Sequence, residues 1–382
     1  MACGLLGHIL SLSGYWITFV VRRPEVAEAI NRHRGYRLTV TGPRGGRLAV
    51  RRCVARSIAD GHVVADAVAQ ADIVMTGIGV DNLPAVTPLI ARGLWQRSRA
   101  QGAAPLNVIA CENLPGAGAY LRHQVVSAAP IDQAMAVDAI AGFSAAITRR
   151  IMTGGHLEDG ELRFTVSGSP DLVIDAQGLK HPFPGLTGVT LTDEFGTHLL
   201  RKLYLLNGAQ AVAAYLGHRE GCRLLHDAVA HPRVAPVVRD ALCEAREALT
   251  AEFPHHAADI ACDAAQVIGE IANPALDDTV SRVAREPRRK LGPLERLVGP
   301  ARLAHKHELP GDNLCLGIAA ALAYDDPADA DAAALQAAIA AEGVATVLTV
   351  ECGLLPHEAL ARAVKQQWLN MTQGNVWLEV NR

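Results

Sequence analysis

The sequence lacks the features that mark several large classes of protein. No run of about 18 apolar residues occurs, so the chain offers no transmembrane helix. Its 36 Lys and Arg nearly balance 39 Asp and Glu, so no basic surface for nucleic acid is expected. Residues 1–21 carry neither a basic start nor a convincing cleavage site, which argues against a secretory signal peptide. These absences favour a cytoplasmic globular protein without nucleic-acid or membrane partners.

Cysteine is present, but not in the spacing that a metal site needs. The eight cysteines are scattered without a CxxC pair, which indicates reduced thiols in a reducing compartment. Two metal-like clusters occur, and surface or helix-end roles account for both: His255, His256, Asp259 and Cys262, and His305 with His307. We therefore expect no metal ion.

Strands alternate with helices in the first half of the chain. Nearly continuous apolar or β-branched runs predict buried parallel strands at 15–21, 72–79 and 106–110. A polar, glycine-rich segment at 36–51 predicts a hairpin. Beyond Asp193 almost every segment has helical periodicity. The 382 residues accommodate two domains, an α/β domain with a parallel sheet at 1–190 and a mostly α-helical domain at 191–382. The pattern leaves the oligomeric state open and is compatible with a monomer.

One helical stretch places polar residues on an apolar face. Its leucines and valines recur at helical spacing, and among them stand Lys202, Asn207 and Gln210. Lysine is scarce, with five in the chain, and burial can lower its pKa enough for it to act as a base. Taken alone, the stretch also fits a solvated lysine at a helix end and two amides bonded to backbone.

The same stretch resembles the signature of the polyol-specific long-chain dehydrogenases, the mannitol dehydrogenase family. That family carries lysine, four residues, asparagine, two residues and histidine on its catalytic helix. Lys202 and Asn207 match this pattern, and Gln210 stands at the histidine position. Three further segments resemble the family in its order and spacing, namely 107–113, 285–291 and 311–321. The resemblance runs from Gly4 onward and implies a Rossmann-like sheet domain followed by a helical domain.

The resemblance also implies an activity, that of an NAD(P)-dependent oxidoreductase acting on a phosphorylated or otherwise anionic polyol or ketose. Lys202 would be the base, and Asn207 and Gln210 would donate hydrogen bonds to the reacting oxygen. Candidate substrate-binding residues are Asn113, Arg149, Arg150, Arg285, Arg289 and Lys290. Arg149 stands where the family has an aspartate, which reverses the local charge. The basic cluster at 285–290 fits a phosphate or carboxylate clamp, and a solvated basic face is the alternative.

The amino terminus departs from the family. A dinucleotide-binding domain opens with a strand, a G-x-G-x-x-G loop and a helix. Here residues 1–7 align with the tail of that loop, so the first strand and most of the glycine loop are missing. Either the start codon is placed too far downstream, or the loss is real. In the second case the chain is a catalytically silent or repurposed binding protein on the same scaffold.

The cofactor candidates follow from the same alignment. Contacts to NAD or NADP are expected from Gly4, Gly7, Arg22, Arg23, Gly79 and Asn113. The family's acid, which holds the ribose hydroxyls of NAD, would align at Val21. Two arginines follow it instead, and such residues accommodate the 2′-phosphate of NADP. The pair therefore fits NADP as well as NAD, and two arginines on a solvated turn are the alternative.

Overall fold

The computed structural model describes residues 2–42, 45–168 and 171–373. The chain forms two compact units, Met1–Leu199 (unit 1) and Leu200–Arg382 (unit 2). Strands and helices alternate in unit 1, whereas the regular elements of unit 2 are helices throughout its described residues. The predicted fold class, a Rossmann-like α/β domain followed by a helical domain, is therefore confirmed.

Unit 1 contains six complete helices and eleven strands within its described residues. The helices are α1 (Ala2–Leu12), α2 (Pro24–His33), α3 (Gly61–Gln70), α4 (Thr87–Ser98), α5 (Ala117–Ala128) and α6 (Ala134–Ile140). The strands are β1 (Ile17–Val21), β2 (Gly35–Thr41), β3 (Gly46–Arg51), β4 (Cys53–Ser57), β5 (Ile73–Thr76), β6 (Leu106–Ala110), β7 (Ala141–Ile147), β8 (Met152–Glu158), β9 (Glu161–Ser167), β10 (Leu172–Asp175) and β11 (Val189–Thr192). A 3₁₀ helix, Val80–Ala85, follows β5.

The predicted parallel strands lie in two separate sheets. Strands β5, β6 and β7 run parallel in a five-stranded sheet of order β11-β10-β7-β6-β5, with Ile73 opposite Asn107 and Leu106 opposite Ala141. All residues of β6 are buried, as a strand covered on both faces requires. Strands β1 and β4 pair in parallel as a two-stranded sheet.

Each of these sheets has an edge without a partner strand. In the described part of the chain, β1 pairs with β4 alone and β5 pairs with β6 alone. Three of the four residues of β5 are only half-buried, in contrast to β6. Helix α1 packs Leu5 into the core of the two-stranded sheet, and Leu6 and Ile9 into the core of the five-stranded sheet. The two sheet edges at β1 and β5, which have no partner strand in the described residues, agree with the expectation of a Rossmann-like sheet that lacks a strand.

The predicted hairpin is confirmed and belongs to a third sheet. Strands β2 and β3 pair antiparallel, with Gly35 opposite Arg51, and β2 also pairs in parallel with β9. The resulting four-stranded sheet has the order β3-β2-β9-β8. Its core contains Tyr36, whose ring lies 6.0 Å from that of Phe19 and 5.3 Å from that of Phe164. The sequence pattern did not predict the pairing between β2 and β9, because these strands are more than a hundred residues apart.

Unit 2 is built around a buried central helix, α8. A short helix, α7 (Phe195–Arg201), leads into a π-helical segment, Lys202–Asn207, and α8 (Gly208–Arg219) continues from it. The other helices are α9 (Leu225–Ala230), α10 (Ala235–Glu252), α11 (Ala257–Ile271), α12 (Val280–Ala284), α13 (Pro287–Lys290), α14 (Val298–Lys306), α15 (Asp312–Leu322), α16 (Ala330–Glu342), α17 (Val344–Val350) and α18 (Ala359–Thr372). None of the described helices of the protein is long and apolar enough to cross a membrane.

Candidate active site

The π segment, Lys202–Asn207, determines how the predicted catalytic residues line up. In a π-helix the backbone hydrogen bond joins residues five apart, so positions i and i+5 stack on the same side. Lys202 and Asn207 are five apart, and the bond from Gly208 N–H to Leu203 O has this spacing. Gln210 follows Asn207 by three residues on α8, where positions i and i+3 share a face. The π segment thus places all three side chains on one side of the helix.

These three side chains differ in exposure. Lys202 is 7% exposed and Asn207 is 8% exposed, whereas Gln210 is half-buried. The side chains of the π segment between Lys202 and Asn207 are buried as well. Such a site excludes much of the surrounding water, and hydrogen bonds and charges act more strongly in it than in solvent.

The environment of Lys202 favours its neutral amine. Burial, and then the nearby Arg296 guanidinium, lower the pKa of Lys202 to about 7, and Arg289 acts in the same direction. The Glu295 carboxylate opposes them and raises the Lys202 pKa. A lysine with a pKa near 7 is partly unprotonated at neutral pH and can accept a proton from a hydroxyl group. Lys202 thus meets the requirement for the predicted base.

Arg201, directly before Lys202, anchors this helix within unit 2. Its side chain is buried, and its guanidinium binds Asp263 at 2.7 Å and Asp259 at 3.4 Å, both on α11. The sequence pattern did not single out Arg201. These two ion pairs hold Arg201, the residue directly before the π segment, in place.

The predicted anion clamp at 285–290 divides into residues with different partners. Lys290 is buried, and its Nζ donates to the backbone oxygen of Arg285. Burial, followed by the charges of Arg296 and Arg289, lowers the pKa of Lys290 to about 6. Arg289 pairs with Glu286 at 3.0 Å and Arg285 approaches the same glutamate at 3.8 Å, both from exposed positions. The cluster therefore contains one buried, neutralised lysine and two exposed arginines that share a carboxylate.

The family-like segment at 311–321 forms the start of α15. The buried Glu244 carboxylate accepts hydrogen bonds from the backbone N–H groups of Asn313 and Leu314 and from the Asn313 side chain. A carboxylate in this place satisfies amides that the first turn of a helix leaves without partners. These contacts give the segment a structural role.

The ends of β1 and β5 bring several predicted cofactor residues together in unit 1. Gly79 follows β5 with a φ of 90°, and an added Cβ would meet only the Asn82 amide, at 3.6 Å. Arg22, at the end of β1, donates to Asn82 Oδ1 at 3.4 Å. Arg23 is exposed and lies 3.7 Å from Glu25. An open glycine beside exposed guanidinium groups fits part of a nucleotide that carries phosphate.

Two residues at the end of β6 play different parts. The buried Glu112 carboxylate accepts from Thr76 Oγ1 at 2.7 Å and from the Ile78 backbone at 3.1 Å, which ties the loop after β5 to the loop after β6. Asn113, the neighbouring candidate for substrate and cofactor contact, is exposed. The sequence pattern indicated Asn113 as a contact residue, but it did not predict the hydrogen bonds of Glu112 to Thr76 and Ile78.

Gly4 and Gly7 serve close packing of α1. An added Cβ on Gly4 would lie 2.5 Å from Met152 Sδ, and one on Gly7 would collide with the Tyr36 hydroxyl. The Tyr36 hydroxyl also donates to the Gly4 backbone oxygen at 3.1 Å. Helix packing accounts for both glycines, and their predicted cofactor contact stays a prediction. Cofactor contacts of Arg22 and Gly79 are likewise predictions.

Arg149 and Arg150, the substrate-binding candidates of unit 1, both have partners in the protein. Arg150 is buried, and its guanidinium donates to the backbone oxygens of Ser167 at 2.7 Å and Gly168 at 2.8 Å. Burial lowers the pKa of Arg150 to about 10. Arg149 binds Asp171 at 3.0 Å, which offsets the charge reversal inferred from the sequence. Arg150 links two segments of unit 1, which supports a structural role for it, and its substrate contact stays a prediction.

Metal ligands do not cluster in the described ranges. No group of three or more His, Cys, Asp or Glu side chains there could hold a metal ion. In the metal-like cluster at 255–262, His256 lies 3.9 Å from Asp259, and that aspartate also lies 3.4 Å from Arg201.

Solved structures of the same fold define the class of protein. Pseudomonas fluorescens mannitol 2-dehydrogenase, solved as a ternary complex with NAD and D-mannitol, superposes with a TM-score of 0.72 at 17% identity, covering 94% of this chain and 86% of that one. A D-sorbitol dehydrogenase in substrate-free form superposes with a TM-score of 0.71 at 16% identity, covering 94% and 88%. The chain thus has the two-domain fold of these polyol dehydrogenases.

The family follows from the sequence comparisons. Residues 2–186 match the mannitol dehydrogenase Rossmann domain, and residues 195–372 match the mannitol dehydrogenase C-terminal domain. The chain therefore belongs to the mannitol dehydrogenase family, as its resemblance indicated. It is 34% identical over 366 residues to the mannitol-1-phosphate 5-dehydrogenase of an Exiguobacterium species, covering 96% of this chain and 94% of that one. It is 33% identical to the Bacillus subtilis enzyme of the same name, covering 94% of each.

Proposed function

We propose that the protein is an NAD(P)-dependent polyol dehydrogenase that acts on a sugar-alcohol phosphate and the matching ketose phosphate. The observation that carries this proposal is the buried Lys202, whose pKa is lowered to about 7 by burial and by Arg296. Asn207 and Gln210 share its side of the π segment. The relatives named mannitol-1-phosphate 5-dehydrogenase support the choice of substrate class. No observation favours the alternative of a catalytically silent scaffold.

The chain's own residues carry the proton and oxygen chemistry. In the oxidation direction, the neutral Lys202 amine accepts the proton of the reacting hydroxyl group. The side-chain amides of Asn207 and Gln210 donate hydrogen bonds to the oxygen as it becomes a carbonyl. The nicotinamide ring, when bound, supplies the acceptor for the hydride from the carbinol carbon. In the reverse direction, protonated Lys202 returns the proton to the oxygen.

Residues at the end of β1 support a preference for NADP. Arg22 and Arg23 directly follow Val21, the position where an acid would hold the ribose hydroxyls of NAD, and both side chains are exposed. Guanidinium groups bind phosphate through two parallel hydrogen bonds. We therefore assign to this pair the 2′-phosphate of NADP.

The basic cluster at 285–290 supports an anionic substrate. Because the pKa of Lys290 is lowered to about 6 by burial and by neighbouring arginines, this amine is mostly neutral at pH 7 without a counterion. An anionic phosphate nearby would stabilise the protonated amine and couple substrate binding to proton uptake. Arg285 and Arg289, which share Glu286, would add positive charge at the rim of the cluster.

The test is a steady-state assay that follows absorbance of the reduced nicotinamide. Mannitol 1-phosphate and mannitol are compared as substrates, each with NADP and with NAD. We expect turnover with the phosphorylated polyol, and a KM at least about tenfold higher for mannitol, corresponding to about 1.4 kcal/mol of lost binding. Absence of turnover on a panel of polyol and ketose phosphates, by folded protein with cofactor bound, would contradict the proposal.

A further inference from the structure

A short segment of unit 2, residues 292–299, packs against the π segment and is called here the supporting segment. The Tyr204 hydroxyl donates to the Leu294 backbone oxygen at 3.4 Å. An added Cβ on Gly299 would collide with the Tyr204 ring, and one on Gly208 would lie 3.0 Å from the Arg296 backbone oxygen. Two glycines thus allow close approach, and the supporting segment contacts the π segment at its middle and just beyond its end.

An ion pair between neighbours lies within the supporting segment. Arg296 Nε and Nη2 lie 3.0 Å and 2.9 Å from Glu295 Oε2. Both side chains are largely inaccessible, at 8% and 14% exposure. A buried ion pair contributes little net stability, because the desolvation of two charges offsets their attraction. Its presence beside the π segment therefore suggests a role other than stability.

Both members of the pair act electrostatically on Lys202. After burial, the Arg296 cation is the strongest influence that lowers the Lys202 pKa, and Glu295 raises it. The third charge that acts on the amine belongs to Arg289 on α13, and it also lowers the pKa. Two adjacent residues thus shift the pKa of Lys202 in opposite directions, Arg296 downward and Glu295 upward.

Four carboxylates on the helices packed against the π segment have partners of their own. On α11, Asp259 and Asp263 bind Arg201. On α10, Glu244 binds the start of α15, and Glu252 binds Lys306 and His307. The two charges with the largest effect on the Lys202 pKa both belong to the supporting segment.

We propose that Glu295 and Arg296 are positioning residues for the proposed base: Arg296 presents a fixed cation to the Lys202 amine, and Glu295 holds that cation in place. The proposal rests on the proposed function of Lys202. Main-chain contacts of the supporting segment with Tyr204 and Gly208 keep the π segment beside this cation. The pair thereby favours the unprotonated amine that proton abstraction requires, without contacting the substrate itself.

The direct test is a titration of the Lys202 amine by NMR in the full chain labelled with ¹³C at lysine Cε. The chain has five lysines, so few signals arise, and the Lys202 signal is the one lost in Lys202→Arg. We expect Arg296→Met to raise the pKa of Lys202 by about one pH unit or more, because a like charge is removed. Glu295→Gln is expected to lower it, because the opposing anion is neutralised while the amide oxygen still accepts a hydrogen bond from Arg296 and keeps its guanidinium in place. Shifts in opposite directions are a result that general loosening of the site does not produce.

Two further variants keep the test decisive. Arg296→Lys retains a cation without the planar fork and should return the Lys202 pKa toward its wild-type value. Arg288→Met is the matched control, since Arg288 lies on α13 but binds Glu351 at 2.6 Å, and it should leave the Lys202 titration unchanged. If Arg296→Met does not fold, Glu295→Gln and Arg296→Lys still decide the outcome. Unchanged titration in Glu295→Gln, or shifts of the same sign in Glu295→Gln and Arg296→Met, would overturn the proposal.

The titration needs neither substrate nor cofactor, so its outcome is separate from that of the proposed function. If the Lys202 pKa shifts in opposite directions but no turnover is found, Glu295 and Arg296 still control this pKa. The proposed dehydrogenase activity is then refuted. Turnover whose pH dependence is the same in wild type and Glu295→Gln would support the dehydrogenase and refute the positioning role.

Discussion

Arg150 in unit 1 and Lys202 in unit 2 are equally inaccessible cations, with 8% and 7% of their surface exposed, yet their surroundings differ. Arg150 donates to two backbone oxygens and remains charged, with a pKa lowered by burial only to about 10. Burial, and then the nearby cation of Arg296, lower the pKa of Lys202 to about 7. Burial is the largest cause of both shifts, but a guanidinium starts from a higher pKa than an amine and stays charged. The type of cation and the charges around it together decide whether a buried cation is protonated at neutral pH.

The largest expected effect comes from removing the amine of Lys202. Lys202→Ala should lower kcat on the polyol phosphate by about 10²–10⁴-fold, the usual contribution of a general base. Its melting temperature should stay within a few degrees, since the cost of taking a buried charge out of water offsets much of what its contacts contribute. The control is Lys365→Ala, at an exposed position on α18. Loss of folding in Lys202→Ala, or full activity, would assign Lys202 a structural role.

The pH dependence of the wild-type protein follows from the same amine. The base must be unprotonated, so kcat/KM for oxidation should rise with pH and level off above about 7, where burial and Arg296 place the Lys202 pKa. A lysine with its ordinary pKa would let the rate rise to about pH 10. A profile measured from pH 5 to 10 distinguishes the two, and a continued rise would contradict the lowered pKa.

The next effect concerns Gln210, which stands at the family's histidine position. Gln210→Ala should lower kcat by up to about 10²–10³-fold, the cost of removing one donor to the reacting oxygen. Gln210→His should raise the rate on sugar phosphates if the site works as in the family. Gln266→Ala, at an exposed position on α11, is the control. A fall in activity on every sugar phosphate in Gln210→His would show that Gln210 is adapted to another substrate.

The adjacent residues Arg149 and Arg150 in unit 1 test whether a buried, hydrogen-bonded arginine contributes more to stability than an exposed one. Arg150→Met deprives the Ser167 and Gly168 backbone oxygens of a donor, and we expect about 2–3 kcal/mol less free energy of unfolding. Arg149→Met removes a more exposed ion pair with Asp171 and should cost less than about 1 kcal/mol. Urea unfolding followed by circular dichroism measures both. Equal losses in the free energy of unfolding would show that the hydrogen bonds of Arg150 to the backbone do not stabilise unit 1 more than the ion pair of Arg149 does.

An effect smaller than that of Arg150→Met is expected at the end of β1. Replacing Arg22 and Arg23 together by alanine should weaken NADPH binding by about tenfold while changing NADH binding little, because only NADPH carries the 2′-phosphate. Fluorescence titration of both cofactors at one salt concentration measures the ratio. Arg32→Ala, an exposed arginine on α2 that pairs with Glu28, is the control. Parallel changes for the two cofactors would remove Arg22 and Arg23 from the NADP assignment.

Some features were accessible from the sequence because they depend on neighbours along the chain. Strand runs such as 106–110 and the helical periodicity beyond Asp193 predicted the α/β and helical domains, and the structure confirms that fold class. The Lys202, Asn207 and Gln210 spacing pointed to the mannitol dehydrogenase family, and the comparisons confirm this membership. The roles of the individual site residues stay predictions.

Other features depend on contacts between distant residues, and only the tertiary structure decided them. A five-residue spacing places Lys202 and Asn207 on different faces of an α-helix, and the π segment alone aligns them. Glu295 and Arg296 were missed, although an acid–base pair between two leucines was a signal that could have singled them out. They lie about ninety residues beyond Lys202 along the chain, and a pKa is set by the burial and charges that surround a group in space.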